Sequence, residues 1–410
     1  MKKIIFLCLI LLFTLNTYAF DKVRISGFAT AAGGYITDKE VGANSLFPSP
    51  GHDGYADDKV EFQPDSLAGL QISSRIADDV SVTVQMVGRF ENEGSAVQLE
   101  WAYINYDLTD DFTIQAGRFR PEVYLYSSTL DIGYTFLWIT PPSEVYSQAP
   151  MTYTDGVNLL LDHTFSNDMT IEASVYGSNV KKDIFFRGAV FPSTFKNLIG
   201  ANFTLSNEYF RLHAGYAQTQ MSSTLNDISP AGAFLAGAGN LNNPGIDNVE
   251  GLKVDDARGE FAGIGLTIDI ADIILIGEYA TRNLANTLFR EATKSYYGTL
   301  GYRIGDFTPH VTYAAVDTSF KNSNAPVFLV DPITGTPTPV GTVGLFRSGL
   351  ATDSVTLTAG LRYEINSKTA LKLEYQKLSK SPEEINLLDN TLAYEKTNAD
   401  LYKIALSVIF

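Results

Sequence analysis

Apolar and polar residues alternate along most of the chain, and the pattern is clearest over 80–86, 355–363, 371–376 and 401–410. In a β-strand this period of two places the apolar side chains on one face and the polar side chains on the other. No segment shows a sustained helical period. The pattern therefore predicts a succession of strands, each with one apolar and one polar face.

Two kinds of connection separate these strands. Very short turns rich in Asp, Asn, Ser and Gly are predicted at 77–79, 109–111, 166–168, 206–208, 271–272, 305–306 and 366–368. Longer, irregular connections are predicted at about 36–65, 91–95, 121–153, 180–196, 219–259, 284–294, 320–353 and 379–400. Seven turns interleaved with eight longer connections give sixteen strands, the first beginning near Val23 and the last ending at Phe410.

An even number of antiparallel strands, with short turns at one end and long loops at the other, is typical of a transmembrane β-barrel. Lipid offers the backbone no hydrogen bonds, so a sheet that spans a bilayer must close on itself. A soluble β-sandwich or propeller is the alternative, but loops of about 30 or 40 residues are unusual on a compact domain. Tyrosines near strand ends suit the two interfacial girdles of a barrel: Tyr209, Tyr279, Tyr296, Tyr302, Tyr313 and Tyr402.

Composition narrows the class further. The 410 residues carry a net charge of −16, which argues against a nucleic-acid partner, whose phosphates require basic patches.

Residues 1–19 combine a basic start with an apolar run and a small residue at Ala19, which predicts a secretory signal peptide and leaves 20–410 as a single barrel domain. The one cysteine, Cys8, falls inside that signal. No catalytic or nucleotide-binding motif is present, so we expect neither an enzyme nor a cofactor or metal site.

The last strand alternates up to a terminal aromatic residue, Phe410, and resembles the closing strand of Gram-negative outer-membrane proteins. In that group the terminal aromatic is a recognition signal for the barrel assembly machinery. The mature chain as a whole resembles the sixteen-stranded trimeric porin family. The resemblance implies a homotrimer in the outer membrane, in contact with lipid and lipopolysaccharide.

The third long connection, 121–153, is unusually aromatic and includes Tyr124, Tyr126, Tyr134 and Trp138. A solvated surface loop would not keep so many aromatic side chains, so this segment is expected to pack against other parts of the protein. Its stretches Asp131-Ile132-Gly133-Tyr134 and Pro141-Pro142-Ser143-Glu144 resemble the constriction loop of the porin family. The resemblance implies that the loop folds into the lumen and narrows it, with Asp131 and Glu144 facing a basic wall.

Three arginines are candidates for that basic wall: Arg89, Arg118 and Arg120. An alternative is that Arg118 and Arg120 anchor the base of the loop by pairing with its acidic residues. The alternation of Phe112, Ile114 and Ala116 would also turn Arg118 toward lipid unless a bulge intervenes. The strand alternation also predicts that further charged side chains point into the lumen: Arg24, Arg75, Arg211, Arg282, Arg303, Arg362, Lys372, Lys403, Glu100, Asp162, Glu172, Asp269, Glu278, Glu364 and Glu374.

Three functions are compatible with this sequence. The first is an outer-membrane porin, a water-filled channel for passive diffusion of small hydrophilic solutes and ions. The second is a substrate-selective channel in which Tyr124, Tyr126, Tyr134 and Trp138 form a stacking track for sugars or aromatic solutes. The third is an adhesin or receptor barrel whose long connections bind a partner.

Overall fold

The structure is a computed structural model. It describes residues 23–37, 43–49, 52–55, 59–91, 94–149, 151–186, 189–223, 254–285, 291–320, 326–330, 337–342, 353–380, 385–386, 391–392 and 397–410. The predicted signal peptide and large parts of the long connections lie outside these residues.

Sixteen long strands account for most of the described chain. They are β1 (Val23–Ile36), β2 (Leu67–Ala77), β3 (Val80–Glu91), β4 (Gly94–Asp107), β5 (Phe112–Phe119), β6 (Thr154–Thr164), β7 (Thr170–Phe186), β8 (Ala189–Ser206), β9 (Phe210–Ser223), β10 (Val254–Ile270), β11 (Ile273–Ala285), β12 (Glu291–Tyr302), β13 (Phe307–Phe320), β14 (Ser354–Asn366), β15 (Thr369–Lys380) and β16 (Thr397–Ile409). Each pairs antiparallel with its neighbours in the chain, and β1 also pairs with β16, from Phe28↔Ile409 to Ile36↔Leu401. The sheet is a closed barrel, as predicted.

All seven predicted short turns connect consecutive strands. Several contain a residue in the left-handed region, including Asp168 (φ 62°), Ala271 (φ 52°) and Gly305 (φ 59°), as tight turns between twisted strands require. The predicted long connection at 180–196 is wrong, because β7 and β8 continue as a paired hairpin up to Phe186↔Ala189. Aromatic and β-branched residues crowd this stretch and favour strand over loop.

The remaining elements are small. Two-stranded hairpins join Ala43–Ser49 with His52–Tyr55, Pro326–Val330 with Pro337–Thr342, and Ile385–Asn386 with Thr391–Leu392. The connection between β5 and β6 contains 3₁₀ turns at Ser127–Thr129 and Gly133–Thr135 and one helical turn, α1 (Ser143–Tyr146). Among the described residues no helix has the length and hydrophobicity needed to cross a membrane.

The two faces of the barrel differ as the alternation predicts. Large apolar side chains such as Ile264, Leu300 and Val311 are about half exposed on the exterior (52%, 55% and 52%). The six tyrosines predicted for the girdles also lie on the exterior, with exposures between 41% for Tyr279 and 50% for Tyr209 and Tyr402. Polar side chains occupy the alternate positions and line the lumen.

Phe410 closes the sheet at its short-turn end. Its N–H donates to the Gly27 carbonyl and its carbonyl accepts from the Gly27 N–H, at 2.9 and 3.0 Å. A Cβ on Gly27 would lie 2.2 Å from the Phe410 ring, so the aromatic residue needs a glycine beneath it.

Candidate functional site

The third connection, which we call L3 (121–153), lies inside the barrel. Three of its N–H groups donate to wall side chains: the Leu125 amide to Glu278 Oε1 (3.0 Å), the Trp138 indole to Thr312 Oγ1 (2.8 Å) and the Ile139 amide to Glu374 Oε1 (2.6 Å). The acceptors lie on β11, β13 and β15, at positions that alternate with apolar exterior residues. L3 therefore reaches across the lumen to the wall opposite its own strand ends.

Glycines in the wall allow this close approach. A Cβ on Gly215 would lie 2.7 Å from the Val123 carbonyl oxygen, and one on Gly263 would lie 3.2 Å from the same atom. A Cβ on Gly265 would lie 3.0 Å from Leu125 Cβ. These positions on β9 and β10 thus leave the space that the L3 backbone fills.

Arg89, Arg120 and Asp131 form a buried ionic cluster on the β3 side of the lumen. Asp131 accepts from Arg89 Nη2 at 2.6 Å through Oδ1 and from Arg120 Nη2 at 2.5 Å through Oδ2. Glu100, which is completely buried on β4, accepts from Arg89 Nη1 at 2.7 Å. Arg120 also donates to the backbone carbonyls of Thr152 (2.8 Å) and Ser127 (3.2 Å), both in L3. The cluster joins the start, middle and end of L3 to the wall.

The two guanidinium groups control the ionisation of Asp131. Burial alone would raise the pKa of this carboxyl, but the attraction and hydrogen bonds of Arg120 and Arg89 outweigh burial and lower the pKa to about 2. Asp131 is therefore ionised at neutral pH.

A second set of cations binds the L3 backbone from the opposite wall. Arg362 on β14 donates to the carbonyls of Tyr134 and Phe136. Lys372 on β15, which is completely buried, donates to the carbonyls of Gly133 and Trp138. These charges therefore hold L3 in place.

The acid Glu374 completes this arrangement. Besides accepting from L3, it lies 3.3 Å from Lys403 of β16, and Lys403 lies 3.3 Å from Asp65. All three side chains are nearly fully buried, which requires such pairing because an isolated buried charge is very unfavourable.

Most of the L3 aromatic side chains form a core instead of an open track, whereas Tyr134 is partly exposed and donates to Glu364 at 3.2 Å. Tyr124 stacks on Tyr146 with ring centroids 4.7 Å apart, and Tyr126 packs edge-on against Phe136 and Trp138. Tyr124 is 3% exposed and Trp138 is 2% exposed. The expectation that these two rings line a passage for solutes is therefore wrong, since packing against the wall covers them.

Glu144, in the first turn of α1, contacts a different part of the wall from Asp131. It accepts a hydrogen bond from Thr356 Oγ1 on β14 and is 6% exposed. With Asp65 and Lys403 it borders a cavity of about 50 Å³. β14 lies five strands around the barrel from β3, so the structure does not bring Glu144 to the predicted basic wall.

The prediction that Arg118 belongs to the basic wall is also wrong. Arg118 pairs with Asp155 on the barrel exterior, at 2.7 and 2.9 Å, and its guanidinium lies 4.0 Å from the Tyr153 ring centroid. The β4–β5 register runs without interruption from Asp107↔Thr113 to Ala102↔Arg118. No bulge reverses the phase, so Arg118 keeps the outward orientation that the alternation indicates.

Sequence reasoning placed Glu278, Arg362, Lys372 and Glu374 in the lumen but missed that they bind L3. Most of their hydrogen-bond partners in L3 are backbone groups, which carry no residue-specific signal. Only the wall glycines gave a hint, because glycine inside a strand often marks close backbone approach. Among the described residues no group of three or more His, Cys, Asp or Glu side chains is placed to hold a metal ion.

No protein-family model and no curated protein sequence matches this chain. Solved structures do match it. The anion-selective porin from Comamonas acidovorans is 10% identical with a TM-score of 0.55, over 95% of this chain and 99% of that one. Outer-membrane expressed OmpT of Vibrio cholerae is 12% identical with a TM-score of 0.53, over 95% and 97% of the two chains. OmpF of Salmonella typhi, solved in complex with daunomycin, is 15% identical with a TM-score of 0.52, again over 95% and 97%. This chain thus has the closed sixteen-stranded barrel fold of the porins.

Proposed function

We propose that this chain is an outer-membrane porin, a water-filled channel for passive diffusion of small hydrophilic solutes and ions. The observation that carries the proposal is a closed barrel of sixteen strands with an apolar exterior, a polar interior and a connection held across its lumen. A barrel of this size encloses more space than its own inward side chains fill. L3 narrows that space, which supports a passive channel.

We also propose that the protein lies in the outer membrane. An apolar exterior bounded by tyrosines suits a bilayer, and the predicted signal peptide would direct export to the outer membrane of a Gram-negative cell. A similar solved structure, in-vitro folded OmpT of Vibrio cholerae, is described as a trimer form. We propose that this chain also assembles as a homotrimer.

The decisive experiment is conductance of the purified, folded protein in planar bilayers. We expect stepwise current increases as single channels insert. A folded barrel that produces no steps would overturn the proposal.

The contribution of L3 is tested by a matched pair of variants. Asp131→Asn removes the carboxylate that joins Arg89 and Arg120, so we expect a wider or noisier channel whose reversal potential shifts toward anions. Asp155→Asn changes the same residue type on the exterior and should leave the conductance unchanged. Equal effects of the two substitutions would show that L3 does not define the narrow part of the pathway.

A further inference from the structure

The inner wall of β2–β5 contains no charged side chain between two ionic levels. At the L3 level lie Arg89 and Glu100, and at the short-turn end Arg75 pairs with Asp107 at 3.2 Å. Between them the inward positions carry amides, hydroxyls, the apolar Val87 and the aromatic rings of Trp101, Tyr103 and Phe119, of which Phe119 is buried. This neutral stretch begins beside L3, because Tyr103 packs against the hydrophobic core that L3 forms, and Gln85 lies about 13 Å from Arg89 along β3.

Five neighbouring side chains lie in this stretch or at its lower border: Gln71, Gln85, Trp101, Tyr103 and Asn105, which lies level with Arg75 in the sheet register. Gln71 and Gln85 are directly paired across β2 and β3, and Gln85 and Trp101 are paired across β3 and β4. The Trp101 and Tyr103 rings are neighbours, with centroids 6.4 Å apart and planes inclined by 39°. We call these five residues the neutral patch.

A bulge in β4 brings both rings to the lumen. The β3–β4 register shifts between Gln85 and Met86, so that Trp101 opposes the inward Gln85 while Leu99 opposes the outward Met86. The inward neighbour of Tyr103 on β5 is Gly117, which has no side chain to cover the ring. Trp101, Tyr103 and Asn105 are each half-buried, so part of each side chain faces the lumen.

Hydrogen-bonding capacity in the patch exceeds what the wall itself uses. Gln85 Nε2 donates to Gln71 Oε1 at 3.1 Å, yet Gln85 Oε1 has no partner among the described residues. Asn105 Oδ1 and the Trp101 indole N–H also lack partners there. All three atoms are buried in the wall, and the Gln85 side chain is 2% exposed, so the parts of the patch that face the lumen belong to the half-buried Trp101, Tyr103 and Asn105 side chains.

We propose that the neutral patch is a subsite for uncharged saccharides on the inner wall of the channel. A sugar presents an apolar C–H face, which packs on an aromatic ring, and hydroxyl groups, which both donate and accept hydrogen bonds. A polar ligand that exchanges water for amide groups loses little hydrogen bonding, whereas an ion meets no unpaired counter-charge, because the flanking Arg75 and Asp107 pair with each other. The inference rests on the proposed channel function and names its solute class.

The test is current block by maltotriose in planar bilayers. For the wild-type channel we expect a saturable reduction of ion current, and polyethylene glycol of similar size should not reproduce the saturation. Trp101→Leu should raise the half-blocking concentration about tenfold, the equivalent of one lost interaction of about 1.4 kcal/mol. Asn105→Ala, a smaller change that spares the rings, should raise it in the same direction.

The matched control is Tyr106→Leu, which removes an aromatic ring from the exterior of the same strand, where Tyr106 is 46% exposed. Block by maltotriose should be unchanged in this variant. Intact ion conductance without saturable block in the wild type would refute the subsite and leave the channel function standing. A folded protein without any conductance would refute the channel function itself.

Discussion

Two parts of the inner wall use polar residues for different purposes. On β11–β16 the inward charges Glu278, Arg362, Lys372 and Glu374 bind the backbone of L3 and are buried by it. On β2–β5 the inward residues between the Arg89–Glu100 pair and the Arg75–Asp107 pair are uncharged, and three of their polar atoms lack partners among the described residues. The comparison teaches that a charge inside a barrel need not act on a solute. The charges on β11–β16, which we call the charged half, position the loop, and the uncharged stretch of β2–β5 lies below the Arg89–Asp131 cluster and faces the lumen.

The largest effect is expected from breaking the charged half. Lys372→Gln removes the ammonium group that donates to the Gly133 and Trp138 carbonyls and leaves Glu374 less compensated. Removing one partner of a buried charged set typically costs about 3–5 kcal/mol, so L3 should detach and the single-channel conductance should rise.

The control for this substitution is Lys377→Gln, which lies on the exterior of the same strand, β15. It should change neither the conductance nor the thermal unfolding midpoint. If Lys372→Gln behaves like this control, the charged half does not hold L3.

A pH titration tests the ionic cluster around Asp131, on the β3 side of L3. The pKa of Asp131 is lowered in the folded state from its ordinary value of 3.8 to about 2. Its contribution to L3 attachment is therefore complete above about pH 4 and is lost as the pH falls from about 4 to 2. Conductance should become larger or noisier across that window. The difference between the wild type and Asp131→Asn should shrink as the pH falls toward 2, and a difference that stays undiminished there would contradict this account.

A smaller effect is expected where L3 only packs against the wall. Gly215→Ala forces a Cβ to within 2.7 Å of the Val123 carbonyl oxygen and should destabilise the loop by about 1–3 kcal/mol. Gly177→Ala is the control, because a Cβ there has no heavy atom within 4 Å. Limited proteolysis of L3 should be faster for the first variant only. Equal cleavage of both would mean that L3 does not press on β9.

The barrel could be predicted because its signals are local. Strand alternation follows from the two-residue period of the backbone, and the short turns follow from residues that tolerate their dihedral angles. Arg118 shows how far the alternation reaches: the period of two placed it outside, whereas the porin resemblance suggested the pore wall. The local rule was correct, because nothing interrupts the β4–β5 register.

The contacts of L3 could not be predicted, because their partners are far apart in the sequence. Trp138 and Thr312 are separated by 174 positions, and Lys372 and Gly133 by 239. Many of these contacts end on backbone carbonyls, which every residue possesses. The aromatic content of L3 indicated burial, but it did not distinguish a packed core from an open stacking surface.

The sequence by itself determined the closed sixteen-stranded barrel, its apolar exterior and the side of the wall on which most charges lie. These features depend on periodicity and on turn chemistry, and both are determined by residues that are close together in the sequence. Only the tertiary structure decided which lumen charges bind L3, that Tyr124 and Trp138 are buried, and that Trp101 faces the lumen beside unpartnered amides. The physical reason is that burial and partnership depend on which distant strands and loops meet, and a single bulge in β4 decides which way Trp101 points.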